Sequence, residues 1–128
     1  MRLLVDTHLL LWAAARTGRL PREARRLLED PANEVYFSAA SLWEIVIKAA
    51  LRRSDFKVDV SALRPALAEM GFAELQVTGA HTEALARLPP VHRDPFDRML
   101  VAQGLAESLV LLTNDEALAA YGMTVRVV

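Results

Sequence analysis

Four carboxylates stand where the chain changes character. Asp6 ends a short apolar run, Glu44 lies one turn into a long apolar stretch, Asp97 follows Asp94-Pro95-Phe96, and Asp115 follows the run 109–113. Two carboxylates about 5 Å apart repel by about 3 kcal/mol at an effective dielectric of about 20. Four converging acids would strain a domain whose whole stability is about 5–15 kcal/mol. Protonation, nearby arginines or a divalent cation would have to neutralise them. An all-oxygen set in a chain without cysteine favours Mg²⁺ or Mn²⁺ over zinc. Such ions polarise phosphoryl oxygens and activate water, so the chemistry implied is phosphodiester hydrolysis.

Residues this far apart meet only if the fold gathers them. Apolar runs at 3–6, 35–38, 74–77, 109–113 and 124–128 predict strands, with 74–77 the weakest. They are continuous, not alternating, which suits strands covered on both faces in a parallel sheet. Helices are predicted over 8–16, 22–29, 40–53, 60–70, 80–88, 95–108 and 116–121, with Gly71 a stop for the fourth. The alternation predicts a three-layer α/β/α fold around a four- to five-stranded, mostly parallel sheet. The segments at Pro21 and at 52–59 break it, so some helices come in pairs. In such a sheet the strands' carboxyl ends share one edge, and ligands bind there where the strand order reverses.

Composition sets outer bounds. The 128 residues suit one domain, 1–128, and 53% hydrophobic content with 24% charged residues predicts a packed globule. A formal charge of -1 supplies no general pull toward nucleic acid or anionic membrane. Absent cysteine excludes disulfides and thiol nucleophiles. Asp6 interrupts the opening apolar run, and the run 9–15 is far below the roughly 20 residues of a membrane span. The expectation is a cytoplasmic protein without a targeting segment.

Each acid also has a local structural use. Asp6 or Thr7 could cap a helix, Asp94 could cap the one opening with Pro95, and Asn114 or Asp115 could cap the last. Ser41-Leu42-Trp43-Glu44 fits a capping box. Glu44, Lys48 and Arg52 form a narrow polar stripe on a helix otherwise apolar all round, so Glu44 is expected to open onto a cleft, against the alternative of a surface Glu–Lys pair. His8, His81 and His92 are scattered, and His8 is expected to face solvent. Trp12, Trp43 and Phe56 are expected in core or interface, and Arg22, Arg25 and Arg26 on a solvated face. An aspartyl phosphotransferase would want D-x-D where this chain has Asp6-Thr7-His8, and a dinucleotide site would want G-x-G-x-x-G, which does not occur.

The segments L-L-V-D-T-H, S-A-A-S-L-W-E-I-V-I-K, H-R-D-P-F-D-R-M-L-V-A-Q and L-L-T-N-D, in this order, resemble the PIN-domain family, and within it the VapC-type toxins of toxin–antitoxin pairs. The resemblance implies a PIN-like α/β/α domain and an Mg²⁺- or Mn²⁺-dependent endoribonuclease that hydrolyses RNA by metal-activated water. It also implies a homodimer held inactive by a cognate antitoxin. Asp6, Glu44, Asp97 and Asp115 correspond to the family's acids, with Asp6 and Asp97 its most direct metal ligands. Thr7, Asp94 and Thr113 would support them. Arg93 and Arg98 would grip phosphate or neutralise the acids. The competing expectation is a catalytically silent RNA- or protein-binding module on the same fold.

Overall fold

Strand β1 (Arg2–Val5) decides the layering, because both of its faces are apolar. In the computed structural model, which describes residues 1–53 and 56–128, Leu3 and Val5 point into one core cluster and Leu4 into another. Chain order continues α1 (Thr7–Ala15), α2 (Arg22–Glu29), β2 (Glu34–Ser38), α3 (Ala39–Ala50), α4 (Val60–Glu69), β3 (Ala73–Leu75), α5 (Gly79–Ala86), α6 (Pro95–Glu107), β4 (Val110–Thr113), a 3₁₀ helix (Glu116–Tyr121) and β5 (Val125–Val127). All strand pairs are parallel, in the order β3-β2-β1-β4-β5.

The first cluster joins Leu9 and Leu10 of α1, Leu27 of α2, Ile45 of α3 and Leu63 and Leu67 of α4 beneath Val35 and Phe37. The second joins Leu4 and Leu111 to Leu100 and Val101 of α6 and Leu118 of the 3₁₀ helix. Three layers result, as expected, with all five strands present. Burying each such leucine contributes about 2 kcal/mol. No helix among the described residues is long and apolar enough to cross a membrane.

Several boundaries follow local chemistry. Gly71, at φ 83, ends the turn after α4 in a backbone region that a side chain would strain. Helix α3 begins and ends earlier than expected: the Ser38 side chain accepts from Ala40 N, and Arg52 takes φ 58 beyond Leu51. Ser38, not Ser41, is therefore the cap, and the expected Ser41–Glu44 capping box does not form. The final helix is a short 3₁₀ segment closed by Gly122. In the expected break at 52–59, residues 54 and 55 lie outside the described residues, and Phe56 is buried against α1 and α3.

Strand order reverses between β1 and β4. Successive strands run outward on one side as β1, β2, β3 and on the other as β4, β5. That reversal is the switch point at which a parallel sheet offers a ligand crevice.

Candidate functional site

Asp6 and Asp115 follow the two strands that flank the switch point. Asp6 is 6% exposed; its Oδ1 accepts from Leu9 N at 2.9 Å, capping α1, and its Oδ2 accepts from the Thr113 hydroxyl. Burial pushes the Asp6 carboxyl above its usual range, and the hydrogen bonds from Thr113 and Leu9 oppose that shift. Thr113 Oγ1 also accepts from Asp115 N at 3.0 Å, so one hydroxyl ties the two acids together. Asp115 Oδ1 accepts from Ala117 N at 3.0 Å and caps the 3₁₀ helix.

Glu44 arrives from α3. It is 2% exposed and does not stand on a solvated helix face. Its Oε1 lies 2.7 Å from Thr7 Oγ1, which is 2.9 Å from Ser41 Oγ. A carboxylate only accepts, so the single Thr7 hydroxyl proton belongs to Glu44. Glu44 Oε2 pairs with Lys48 Nζ one turn on. The Glu–Lys pair considered from sequence does form, but partly buried, with Lys48 also 4.9 Å from the centre of the Phe56 ring and 5.8 Å from that of Phe96.

Asp97 lies in the first turn of α6, which Asp94 caps by accepting from Phe96 N at 2.8 Å and Asp97 N at 3.2 Å. The second Asp94 oxygen is 3.7 Å from Lys48 Nζ. The Asp97 carboxyl is pushed up to about 6, mainly by burial, then by repulsion from Asp94, with Glu44 and Asp6 adding to it and the His92 hydrogen bond opposing. An acid with a raised folded-state pKa binds its proton more tightly in the native state. Its contribution to stability therefore falls as pH rises from about 4 to about 6. In thermal melts of metal-free protein, Asp97→Asn is expected to flatten that fall; an unaltered pH profile would show that Asp97 is not the group behind it.

His92 was not a site candidate on sequence, yet it sits at the centre of this edge. Its Nε2 is 3.0 Å from Asp97 Oδ2 and 3.6 Å from Asp115 Oδ2. No spacing rule reveals it; the one clue was its place in the His92-Arg93-Asp94 run before α6. The nitrogen-bearing side chains at the acids are thus Lys48 and His92. Among the described residues neither Arg93 nor Arg98 pairs with a carboxylate, and Arg98 Nε is buried without a hydrogen-bond partner. His8 does not face solvent as expected. Its ring is half-buried, 5.3 Å from that of Phe56 and 5.9 Å from that of Trp12. His81 is fully buried and caps α5, with Nε2 2.8 Å from Glu107.

One ligand atom each from His92, Asp97 and Asp115 lies within 4.8 Å of the others. Hard oxygens with one imidazole nitrogen fit a divalent cation. The model of one family, the PIN domain, matches residues 3–122. The chain belongs to the PIN domain family. Several solved structures resemble it along nearly their whole length. The VapBC2 structure from Rickettsia felis, bound to a DNA fragment from the promoter, aligns with TM-score 0.68 at 12% identity over 98% of each chain. A toxin–antitoxin complex from Klebsiella pneumoniae aligns with TM-score 0.65 at 21% identity, over 97% of this chain and 95% of that one. FitAcB from Neisseria gonorrhoeae aligns with TM-score 0.64 at 19% identity, over 96% and 95%. Comparison with curated proteins gives no significant match.

A groove of about 860 Å³ lies elsewhere, at the amino-terminal ends of β2 and β3. None of the four acids lines it.

Proposed function

We propose that this chain is an Mg²⁺- or Mn²⁺-dependent endoribonuclease and the toxin of a VapBC-type toxin–antitoxin module, acting as a single domain, 1–128, in the cytoplasm. The observation that carries this reading is the meeting of Asp6, Glu44, Asp97 and Asp115 at the switch point of a PIN sheet, where Asp97 is held near pKa 6 by burial and neighbouring acids. Membership of the family and the likeness to toxin–antitoxin structures support it.

A bound divalent ion would supply water activation and charge to offset the phosphoryl oxygens. Asp6 and Asp97 are its closest holders in this reading, with Asp115 and Glu44 completing the anionic wall. Thr113 aims Asp6 and fixes the backbone of Asp115. Thr7 orients Glu44, and Lys48 pairs with that buried carboxylate. Asp94 caps α6 and so fixes the turn that presents Asp97. Arg93 and Arg98, flanking that turn, are the proposed contacts to RNA phosphate.

The partners proposed are RNA, a cognate antitoxin and a second copy of the chain. Trp43, Val46, Ile47 and Leu51 leave an exposed apolar stripe along α3, with Trp43 61% and Leu51 67% exposed. Contiguous apolar surface of this kind marks protein interfaces. The stripe adjoins the site, since the Trp43 ring packs edge-on against Phe96 at 5.1 Å.

The test is incubation of the whole chain with RNA. Cleavage is expected with Mg²⁺ or Mn²⁺, loss of cleavage with EDTA, and recovery when the ion is restored. RNA retention on a gel without any cut product would instead make the protein a silent binding module.

A further inference from the structure

We infer that His92 is itself a metal ligand, giving the site a nitrogen donor beside its carboxylates and a preference for Mn²⁺ over Mg²⁺. The inference rests on the metal-dependent reading above and deepens it. Three observations point the same way. First, His92 Nε2 lies 3.0 Å from Asp97 Oδ2 and 3.6 Å from Asp115 Oδ2, and neighbouring donors around a six-coordinate ion at about 2.1 Å lie about 3 Å apart. The two separations from His92 thus lie near that spacing, and all three donors lie within 4.8 Å of one another. Second, the histidine is tied to an element that carries one of those acids. Its backbone N donates to the Tyr121 hydroxyl at 3.1 Å, and Tyr121 closes the 3₁₀ helix that Asp115 caps. Third, the other acids have separate partners. Glu44 is held by Thr7 and Lys48, and Asp6 by Thr113 and Leu9, whereas the only described side-chain partner of Asp97 is His92. An ion entering between Asp97 and Asp115 therefore meets the imidazole first. It needs only the tautomer that keeps the proton on Nδ1.

A nitrogen ligand matters for ion choice. Mg²⁺ strongly prefers hard oxygen donors, while Mn²⁺ tolerates imidazole. Pulsed EPR of Mn²⁺ bound to the whole protein reads this directly. Nitrogen modulation from a coordinated imidazole is expected in the parent and is expected to vanish in His92→Gln. By titration calorimetry the same substitution is expected to weaken Mn²⁺ binding about tenfold and Mg²⁺ binding much less. Saturable Mn²⁺ binding without nitrogen modulation in the parent would overturn the assignment of His92 alone. No Mn²⁺ binding at all would overturn both this assignment and the metal-dependent reading beneath it. The parent spectrum decides the point even if the variant fails to fold.

Discussion

Replacing Asp6 by Asn is expected to slow RNA cleavage at least about 1,000-fold, equivalent to about 4 kcal/mol, while leaving the protein folded. The change is nearly isosteric. The amide oxygen can still accept from Leu9 N and cap α1, and the amide nitrogen can donate to Thr113 Oγ1. What disappears is the negative charge, the part that an ion at this edge would use. Burial already raises the Asp6 pKa, which means that its charge costs stability in the metal-free protein. The melting temperature at neutral pH is therefore expected to stay level or rise. Cleavage rates and melting curves on the same preparation check both halves. A folded Asp6→Asn protein that cuts RNA at the parent's rate would remove Asp6 from the mechanism.

Mg²⁺ or Mn²⁺ at about a hundred times its dissociation constant is expected to add about 2.7 kcal/mol to stability, because it binds the native state and has no site in the unfolded chain. For a domain of this size that is a rise of about 10 °C in melting temperature. The rise is expected to disappear in Asp97→Asn, whose metal-free form should melt higher than the parent at pH 7. With Asp97 pushed up to about 6, its ionisation above that pH works first against its burial and then against its neighbours Asp94, Glu44 and Asp6. The substitution removes both the repulsion and the place for the ion. Matched additions of NaCl separate this from ionic-strength screening. A melting curve unmoved by either cation would speak against a metal site.

Several acids at this edge play structural and proposed chemical parts at once. Asp6, Asp94 and Asp115 each cap the helix that follows them, as local sequence suggested. Capping is not an alternative to a role in the site, because a carboxylate has two oxygens. Asp6 and Asp115 use Oδ1 for the cap and turn Oδ2 to the switch point. Glu44 differs. Lying inside α3 with no cap to make, it is buried with an acceptor bond from Thr7 and an ion pair to Lys48. Those two contacts are what make its burial tolerable, since breaking a buried pair leaves an uncompensated charge.

What the amino-acid sequence determined alone is the part governed by short-range rules. Apolar runs bounded by turn residues defined five strands, and their lack of alternation marked a sheet covered on both faces. Caps and stops at Asp6, Asp94 and Gly71 lay within a few residues of the helices they delimit, so they were legible. Tertiary structure alone decided which side chains share a space. Thr113 reaches Asp6 across 107 positions, and Thr7 reaches Glu44 across 37. His92 entered the site, His8 turned into an aromatic cluster, and Lys48 displaced the arginines as a neutralising cation. The outward apolar face of α3 was equally hidden, since a helix apolar all round does not say which face the sheet will cover. These outcomes depend on how neighbouring strands and helices dock. A linear pattern records which residues are apolar or charged, but not the distances between segments that packing brings together.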